Sequence, residues 1–317
     1  MPQNTLNTAS EGLLSHDLIQ TWLLNTTALN SRLAKRSDLL DFTHYMGIHS
    51  VEDFKTLERA DIINWRDSLA KDEKDKPALS IRSVKRRLAT ISKLFEFLCD
   101  EGFTKTNIVL GVERPKLTAN EGVTQVINDA QARRILEAPD PNTLIGKRDR
   151  AILATFMFHA LRRSELCQLK VKDVLEREGI KQFMIHGKGS KDRYIPIHPA
   201  ATRRINEYLE ADEPQHANDK EAPIFKSISN NGKNSDKGIS PISIYRLVLH
   251  YGRLAGIDMG CFSPHSLRAT AATNALKNGE DIRKVQHWLG HASIQTTAMY
   301  DKRDHRPEDS PTYRVRY

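Results

Sequence analysis

The sequence predicts a mainly helical protein with a small antiparallel sheet in its second half. Apolar residues recur at helical spacing from Leu13 to about Leu110, and again through most of the second half of the chain. Short alternating runs at residues 171–174, 182–186 and 193–197 surround a glycine-rich turn, which is typical of antiparallel strands. The fold class is therefore mainly α, with a small β-sheet confined to the C-terminal half.

Two domains are expected, because 317 residues exceed the usual length of one domain and the helical pattern is interrupted once. The segment GVERPKLTANEG at residues 111–122 has no periodicity and contains Pro115. We therefore predict a disordered leader at residues 1–12, an all-helical domain at 13–112, a linker at 113–123 and a second domain at 124–317.

The helix that follows Ser80 is the most informative element of the first domain. Ser80 can accept a hydrogen bond from the first turn of this helix. Its apolar face is formed by Ile81, Val84, Leu88, Ile91, Leu94, Phe95 and Leu98. Its other face carries Arg82, Lys85, Arg86 and Lys93. Such a basic face is either solvated or in contact with phosphates, and the pattern alone does not decide between the two.

The second domain is expected to alternate helices with a hairpin. Apolar spacing predicts helices at residues 128–138, 148–161, 199–209, 240–255, 266–278 and 281–289. The hairpin strands are predicted at residues 171–174, 182–186 and 193–197. The polar stretch at residues 227–237 is predicted to be a surface loop.

Charge, cysteine content and hydropathy limit the class of protein. The formal net charge is +8; residues 1–112 carry 15 basic and 15 acidic side chains, and residues 113–317 carry 33 and 25. A basic second half favours a polyanionic partner. Cys99, Cys167 and Cys261 form no disulfide or thiolate-metal pattern. Without a signal peptide or a membrane-spanning run, the protein is expected to be intracellular and soluble.

A cluster of chemically active residues lies between Ser263 and Tyr300. His265 and Arg268 are three positions apart in a helical run, so they share one face and can converge on one small anion. His291 follows a Leu-Gly pair, and Tyr300 comes nine positions later. Cations, an imidazole and a phenol are the groups that metal-free cleavage of a phosphodiester requires.

This pattern resembles the tyrosine recombinase (phage integrase) family, and the two-domain length resembles its Xer-like members. The motifs of the family are matched by Ala160–Leu166 (ALRRSEL), Gly187–Arg193 (GKGSKDR), His265–Arg268 (HSLR), Leu289–His291 (LGH) and Tyr300. One departure is Ala160, where the family usually has glycine. The resemblance implies an N-terminal SAM-like core-binding domain, all helical, and a C-terminal tyrosine recombinase catalytic domain.

The resemblance assigns the catalytic roles. Arg162 and Arg268 would grip the phosphate, since a guanidinium forks onto two oxygens and keeps its proton. Tyr300 would be the nucleophile, made more acidic by the cations, and would form a 3′-phosphotyrosyl link to DNA. His265 would accept the phenol proton, and His291 would bond a non-bridging oxygen.

Two further residues would support this chemistry. Lys188 would protonate the leaving 5′-oxygen as general acid, with Lys191 as the rival candidate. Glu165 would orient Arg162 or a neighbouring histidine. The reaction would need neither ATP nor metal, and no cofactor is expected. His287 and His291 have the spacing of a zinc pair, but Trp288 stands where a glutamate would follow, so no metal site is predicted.

Double-stranded DNA recombination sites are the expected partner. The predicted DNA contacts are Arg82, Lys85, Arg86, Lys93, Arg114, Lys116, Lys191 and Arg193. By resemblance, four protomers would assemble on two duplexes, with accessory DNA-bending or directionality proteins as further candidates. The last 17 residues are either a frayed end or, as in relatives, a segment that docks on a protomer, and the sequence does not decide whether in cis or in trans. The protein would act in the cytoplasm, associated with the nucleoid, in integration, excision, transposition or resolution of a DNA element.

Two other functions are compatible with parts of this pattern. A type IB topoisomerase shares the arginine, lysine, histidine and tyrosine set, but would relax DNA as a monomer. A DNA-binding regulator would bind without cutting, and a Tyr300→Phe change would leave it unaffected. The complete set of motifs favours the recombinase over both.

Overall fold

The computed structural model describes residues 12–72, 77–116, 124–187, 192–212, 216–229, 234–301, 312 and 315. The chain divides into two compact units, Met1–Val123 and Thr124–Tyr317. The predicted leader, apart from Gly12, and nearly all of the last 17 residues lie outside the described part. No helix in that part is long and apolar enough to cross a membrane.

The first unit is helical. Its elements are α1 (Asp17–Leu24), α2 (Leu29–Met46), a 3₁₀ turn (Val51–Lys55), α3 (Arg59–Leu69) and α4 (Ile81–Asp100). Their apolar faces meet in one core, in which Trp65 packs edge-on against Phe42 with ring centroids 4.8 Å apart. The core therefore depends on large aromatic and aliphatic side chains from every helix of the unit.

Helix α4 follows its sequence pattern closely. The Ser80 side chain accepts a hydrogen bond from the backbone N–H of Ser83 (3.3 Å), and the predicted apolar positions are buried except Ile81, which is partly buried. On the opposite side, Arg86 pairs with the buried carboxylate of Asp38. One predicted DNA contact is therefore already bonded within the unit.

The second unit combines helices with two small sheets. Its elements in chain order are α5 (Asp129–Glu137), α6 (Leu144–His159), α7 (Arg163–Gln168), a 3₁₀ turn (Val171–Asp173), β1 (Val174–Arg177), β2 (Ile180–His186), β3 (Asp192–Pro196), α8 (Pro199–Ala211), β4 (Lys226–Ile228), β5 (Asn234–Gly238), α9 (Pro241–Leu254), α10 (Pro264–Lys277), α11 (Ile282–Leu289) and α12 (Ile294–Ala298).

The first sheet corrects the predicted position of its first strand. Strands β1, β2 and β3 pair antiparallel in sequence order, and Phe183 lies opposite both Val174 and Ile195. Residues 171–173 form a 3₁₀ turn instead of the predicted strand. The physical reason is local: the Asp173 carboxylate accepts the backbone N–H of Lys170 at 2.9 Å and closes the turn.

The second sheet was not predicted. Residues 226–228 and 234–238 pair antiparallel where the sequence suggested a surface loop. The buried Phe225 accepts a backbone hydrogen bond from Ile239 (2.9 Å), which continues the pairing toward the core. The residues of this hairpin are mainly polar, so the sequence shows no apolar alternation that would indicate strands.

Helix α10 carries two of the predicted catalytic residues, His265 and Arg268. Most of its side chains are buried, and it contacts α6, α9 and α11. Small residues of α10, including Ala269 and Ala272, pack with Leu289 and Tyr300 in one cluster. This cluster brings together motifs that are distant in the sequence.

Candidate active site

Arg268 is fixed at the start of the buried helix α10. It is 2% exposed, and its guanidinium donates to the carbonyls of Ala160 and Leu289, the latter at 2.7 Å. Burial, followed by repulsion from Arg162, lowers the pKa of Arg268 to about 10, so it stays charged at neutral pH. Its position is therefore set by backbone acceptors before any ligand binds.

Arg162 stands just before the first residue of α7. Its Nη1 donates to Glu165 Oε1 at 2.7 Å, and its Nη2 donates to the carbonyl of Gly290 at 2.8 Å. The backbone N–H of Arg162 also donates to Glu165 Oε2 (2.7 Å). The side chain keeps 42% of its surface exposed, which leaves it able to contact a ligand.

Three consecutive carbonyls at the end of α11 hold three different arginines. Arg193 Nε donates to Trp288 at 3.2 Å, while Arg268 and Arg162 bond Leu289 and Gly290. The last carbonyls of a helix lack partners within the helix and carry the negative end of its dipole. The end of α11 is therefore a natural cation-binding element.

Gly290 makes this helix end possible. Its φ is +65°, a left-handed conformation that favours glycine, and the backbone N–H of His291 bonds back to the carbonyl of Gln286 at 3.1 Å. A Cβ on Gly290 would lie 3.1 Å from Nη1 of Arg193. Both the backbone conformation and the close approach of Arg193 explain the glycine of the Leu-Gly-His motif.

Ala160 also has a left-handed conformation, with φ at +49° at the end of α6. This explains physically why the family favours glycine there. Its carbonyl still reaches Arg268, so the methyl group leaves that contact in place.

Arg193, which the sequence predicts as a DNA contact, is buried in the structure. It is 7% exposed, and its Nη1 and Nη2 donate to Glu165 at 3.0 and 2.8 Å. Burial alone would raise the pKa of Glu165, but the hydrogen bonds from Arg193 and from the Arg162 backbone lower it to about 2. Arg193 therefore supports the Glu165 carboxylate from inside the protein, and its contact with DNA stays a prediction.

His291 is held in one tautomer. Its Nδ1 lies 3.0 Å from Thr297 Oγ1, and its Nε2 lies 3.0 Å from the Arg268 guanidinium, where it can only accept. Burial, then the Arg268 charge, lowers the pKa of His291 to about 4. The ring is neutral at physiological pH, with its proton directed at Thr297. Nothing in the sequence pattern marked Thr297 as part of the site.

Tyr300, a member of the buried cluster around α10, lies next to the exposed residue His265. The phenol oxygen lies 3.3 Å from His265 Nε2, and the tyrosine residue is 5% exposed. Burial raises the pKa of the Tyr300 phenol above its ordinary value, while Arg268 and Arg162 act less strongly in the opposite direction. This differs from the expectation that the cations would dominate, and the phenol stays protonated in the free protein.

Two open cavities flank Arg162. One of about 300 Å³ is lined by Arg162, Arg163, Tyr245, Ser263, His265 and Arg268, among others. A larger groove of about 1250 Å³ lies between α7, the β2–β3 hairpin and α11. The smaller cavity is the natural place for a small anion, since the proposed cations and His265 line it together.

The remaining predicted residues are placed as follows. Lys188 and Lys191 lie outside the described residues. Arg82, Lys93, Arg114 and Lys116 are exposed, and Lys85 is partly exposed. Lys93 pairs with Glu96 at 2.7 Å.

Comparison with known proteins gives two family matches and a group of relatives. The phage integrase family matches residues 125–306, and the phage integrase N-terminal SAM-like domain matches residues 20–102. The tyrosine recombinase XerD of Listeria monocytogenes is 32% identical over 272 residues, 86% of this chain and 87% of that protein. XerD of Pseudomonas putida is 31% identical over 294 residues, 90% and 93% of the two chains.

Solved structures share the fold at low identity. XerH bound to a palindromic difH substrate has a TM-score of 0.67 at 19% identity, covering 86% of this chain and 76% of that one. A lambda integrase dimer bound to a COC′ core site has a TM-score of 0.67 at 15% identity, covering 92% and 99%.

A SAM-like helical domain followed by an integrase domain defines a tyrosine recombinase, an enzyme of site-specific DNA recombination. This chain belongs to the phage integrase family, and it is similar to the XerD recombinases over most of its length.

Proposed function

We propose that this protein cleaves and rejoins DNA strands at a specific site through a covalent phosphotyrosine intermediate. The Tyr300 oxygen attacks the scissile phosphorus, the bond from phosphorus to the 5′-oxygen breaks, and the phenol proton passes to His265. The DNA then carries a 3′-phosphate ester of tyrosine and a free 5′-hydroxyl. A 5′-hydroxyl of another strand reverses the step and releases Tyr300.

The contact between Tyr300 and His265 carries this proposal. A buried phenol with a raised pKa is a weak nucleophile until a base takes its proton. His265 Nε2, 3.3 Å from the phenol oxygen, is in reach to do so. The two groups face each other beside Arg268, whose charge stabilises the phenolate as it forms.

The two arginines would stabilise the phosphorane. Arg268 and Arg162 are fixed by carbonyls and by Glu165, so little reorganisation is needed when a phosphate arrives. His291 would bond a non-bridging oxygen only after its proton moves from Nδ1 to Nε2, because Nε2 accepts from Arg268 in the free protein. Fixed positive charge can replace a metal ion in this chemistry, so the reaction proceeds without metal or ATP.

Protonation of the leaving group is assigned to Lys188, with Lys191 as the alternative. The 5′-oxygen leaves as an alkoxide unless it is protonated, so a general acid speeds cleavage by about 10²–10⁴-fold. In the sequence, both lysines lie between β2 and β3, and the facing ends of these strands line the groove beside Arg162.

Both units are proposed to contact the duplex. We assign the core-binding role to the unit of residues 1–123 and the catalytic role to the unit of residues 124–317. In the first unit, the exposed face of α4 and the basic pair Arg114 and Lys116 are the candidate phosphate contacts. Four protomers would act on two duplexes in the cytoplasm, at the nucleoid, with accessory DNA-bending or directionality proteins as candidate partners. The solved neighbours in complex with recombination-site DNA support the contact with DNA.

Covalent trapping tests the proposal. Wild-type protein treated with a chelator is incubated with genomic fragments, and the DNA attached to protein is recovered and sequenced. The recovered site is then built into a nicked duplex, from which the cleaved end diffuses away. We expect wild type to become covalently linked, Tyr300→Phe to bind without linking, and Tyr194→Phe, an exposed tyrosine on β3, to link as wild type does. A Tyr300→Phe protein that still links would refute the assignment.

The recovered DNA site also distinguishes a recombinase from a topoisomerase that relaxes supercoiled DNA. Exchange between two plasmid copies of the recovered site is expected, while supercoiled plasmids that lack it should stay supercoiled. Relaxation of any plasmid would point to a topoisomerase instead.

A further inference from the structure

Thr297 connects two residues of the proposed catalytic site, although it belongs to none of the motifs. It lies in α12 and is fully buried. Its carbonyl accepts the backbone N–H of Tyr300 at 2.9 Å, and its Oγ1 lies 3.0 Å from Nδ1 of His291. The histidine of the Leu-Gly-His motif and the proposed nucleophile therefore share one neighbour.

The His291 ring is fixed from several sides. The backbone N–H of His291 donates to the carbonyl of Gln286 at 3.1 Å, and its carbonyl accepts from Gln286 Nε2 at 3.0 Å. The ring lies between the Arg268 guanidinium at Nε2 and the Thr297 hydroxyl at Nδ1, both at 3.0 Å. Burial and the charge of Arg268 lower the pKa of His291 to about 4, so the ring is neutral and has one hydrogen for two nitrogens.

In the free protein one hydrogen of this chain of groups has no acceptor. The Arg268 guanidinium only donates, so Nε2 of His291 accepts and the ring hydrogen lies on Nδ1. Nδ1 then donates to Thr297 Oγ1. Among the residues that the structure describes, Nδ1 is the only side-chain partner of the Thr297 hydroxyl, so the hydroxyl hydrogen is left without an acceptor. A buried donor without a partner is unfavourable.

A bound phosphate would remove this mismatch. A non-bridging oxygen can accept the Arg268 N–H that now faces Nε2, while Arg268 keeps its bond to the Leu289 carbonyl. Nε2 can then carry the ring hydrogen and donate it to the phosphate, and Nδ1 accepts from the Thr297 hydroxyl. The ring loses one proton at Nδ1 and gains one at Nε2, both exchanged with water in the groove that His291 lines, so it stays neutral.

We propose that Thr297 is a positioning residue for His291: when a phosphate is bound, the Thr297 hydroxyl stabilises the tautomer with the hydrogen on Nε2, which is the tautomer that donates to a non-bridging oxygen. This inference rests on the role proposed for His291 in cleavage. It assigns to Thr297 a function in stabilising the transition state without contact with the DNA.

Single-turnover cleavage of the nicked duplex of the recovered site tests this role. Thr297→Val replaces the hydroxyl by a methyl group of similar size and should slow cleavage by about tenfold, because Nδ1 of the productive tautomer then lacks a donor. Thr297→Ser keeps the hydroxyl and should recover most of the wild-type rate. Thr296→Val, at an exposed neighbour in α12, is the matched control and should cleave as fast as wild type.

A double-mutant cycle shows whether Thr297 acts through His291. His291→Ala removes the ring and should itself slow cleavage by at least about 10²-fold. Adding Thr297→Val to His291→Ala should change the rate by less than about twofold, because the hydroxyl then has no ring to orient. A further tenfold loss in the His291→Ala background would show that Thr297 has only a structural role, and the proposal would fail.

Nuclear magnetic resonance of the ring nitrogens reports the tautomer directly. Tyr300→Phe protein with isotope-labelled histidine is compared free and bound to the recovered duplex, which it should bind without cutting. The His291 signals are those missing from the spectrum of Tyr300→Phe, His291→Ala. We expect the hydrogen on Nδ1 in the free protein and on Nε2 in the complex. Thr297 is unchanged in this measurement, so it decides the question even if Thr297→Val does not fold. A hydrogen that stays on Nδ1 in the complex would refute the exchange.

The outcomes separate this inference from the proposed function. If His291→Ala cleaves as fast as wild type, the role of His291 fails, and the role of Thr297 fails with it. If His291→Ala is slow and Thr297→Val is as fast as wild type, the role of His291 stands and that of Thr297 is refuted.

Discussion

The carbonyl oxygen of Gly290 accepts a hydrogen bond from Nη2 of Arg162 at 2.8 Å, across 128 positions of sequence. The neighbouring carbonyls of Leu289 and Trp288 hold Arg268 and Arg193. The Leu-Gly-His motif therefore acts through its backbone as much as through its histidine. The end of one short helix positions the cations of the site.

Replacing Gly290 by alanine tests this arrangement. The change forces an L-residue to φ +65° and places Cβ 3.1 Å from Arg193. Gly256, at φ +66° with open space around it, is the matched control. We expect Gly256→Ala to lower the free energy of unfolding by about 1–2 kcal/mol. Gly290→Ala should lower it by about 1–3 kcal/mol more, because Arg193 must move. Denaturant titration measures the free energy of unfolding of the two variants. The rate of DNA cleavage by Gly290→Ala should fall by at least about tenfold. Equal losses for the two variants would show that the contact with Arg193 is unimportant.

The pair formed by Glu165 and Arg193 is expected to stabilise the catalytic unit. Both side chains are buried, and among the described residues Arg193→Ala leaves Glu165 with Arg162 as its cationic hydrogen-bond partner. Loss of one member of a buried pair typically costs about 3–5 kcal/mol. Exposed Arg163, next to Arg162, is the control, and Arg163→Ala should change stability by less than about 0.5 kcal/mol. The double variant Glu165→Met, Arg193→Met should recover part of the loss. A loss below about 1 kcal/mol for Arg193→Ala would contradict the prediction.

The free energy of unfolding should fall as the pH is lowered from about 6.5 to about 4. His159 is fully buried, its Nε2 accepts the His198 backbone N–H at 3.0 Å, and burial lowers the pKa of His159 to about 4 from 6.5. The unfolded chain takes up the proton first, so the stabilisation is present above pH 6.5 and lost as pH falls toward 4. The contribution of His159 to the free energy of unfolding has an upper limit of about 3 kcal/mol. The neutral ring of His291 acts in the same direction.

Denaturant titrations from pH 7 to pH 4 measure this slope. His159→Gln removes the titrating group and should flatten it, while His250→Gln, an exposed ring in the same unit, is the matched control. An unchanged slope in His159→Gln would show that other groups cause the acid sensitivity.

Helix α4 should contribute to DNA affinity without reading sequence. Lys85→Ala is expected to weaken binding to any duplex and to reduce the slope of log affinity against log salt by about 1. Lys105, exposed beyond the end of α4, provides the control variant Lys105→Ala. Arg86 is a poorer probe, because its loss would also strip a partner from buried Asp38. Binding isotherms at several salt concentrations give the slope. If Lys85→Ala and wild type show the same slope, the basic face is only solvated.

The sequence by itself determined the family, the mainly helical fold and the identity of the residues that meet in the site. Periodicity located α4 and α10, because a buried face imposes a regular spacing of apolar residues, and short motifs marked Arg162, His265, Arg268, His291 and Tyr300. The predictions of a strand at residues 171–174 and of a loop at residues 227–237 were wrong. Side-chain capping forms a 3₁₀ turn at the first, and mainly polar residues pair in a β-hairpin at the second.

Only the tertiary structure decided how these residues are held and in what charge state. The sequence predicted Arg193 as a DNA contact, and only folding shows that its side chain is buried against Glu165. The pKa of Tyr300 rises because burial outweighs the arginines, and His291 becomes a neutral acceptor beside Arg268. These properties depend on solvent exclusion and on partners more than 20 positions away, and spacing along a chain contains neither.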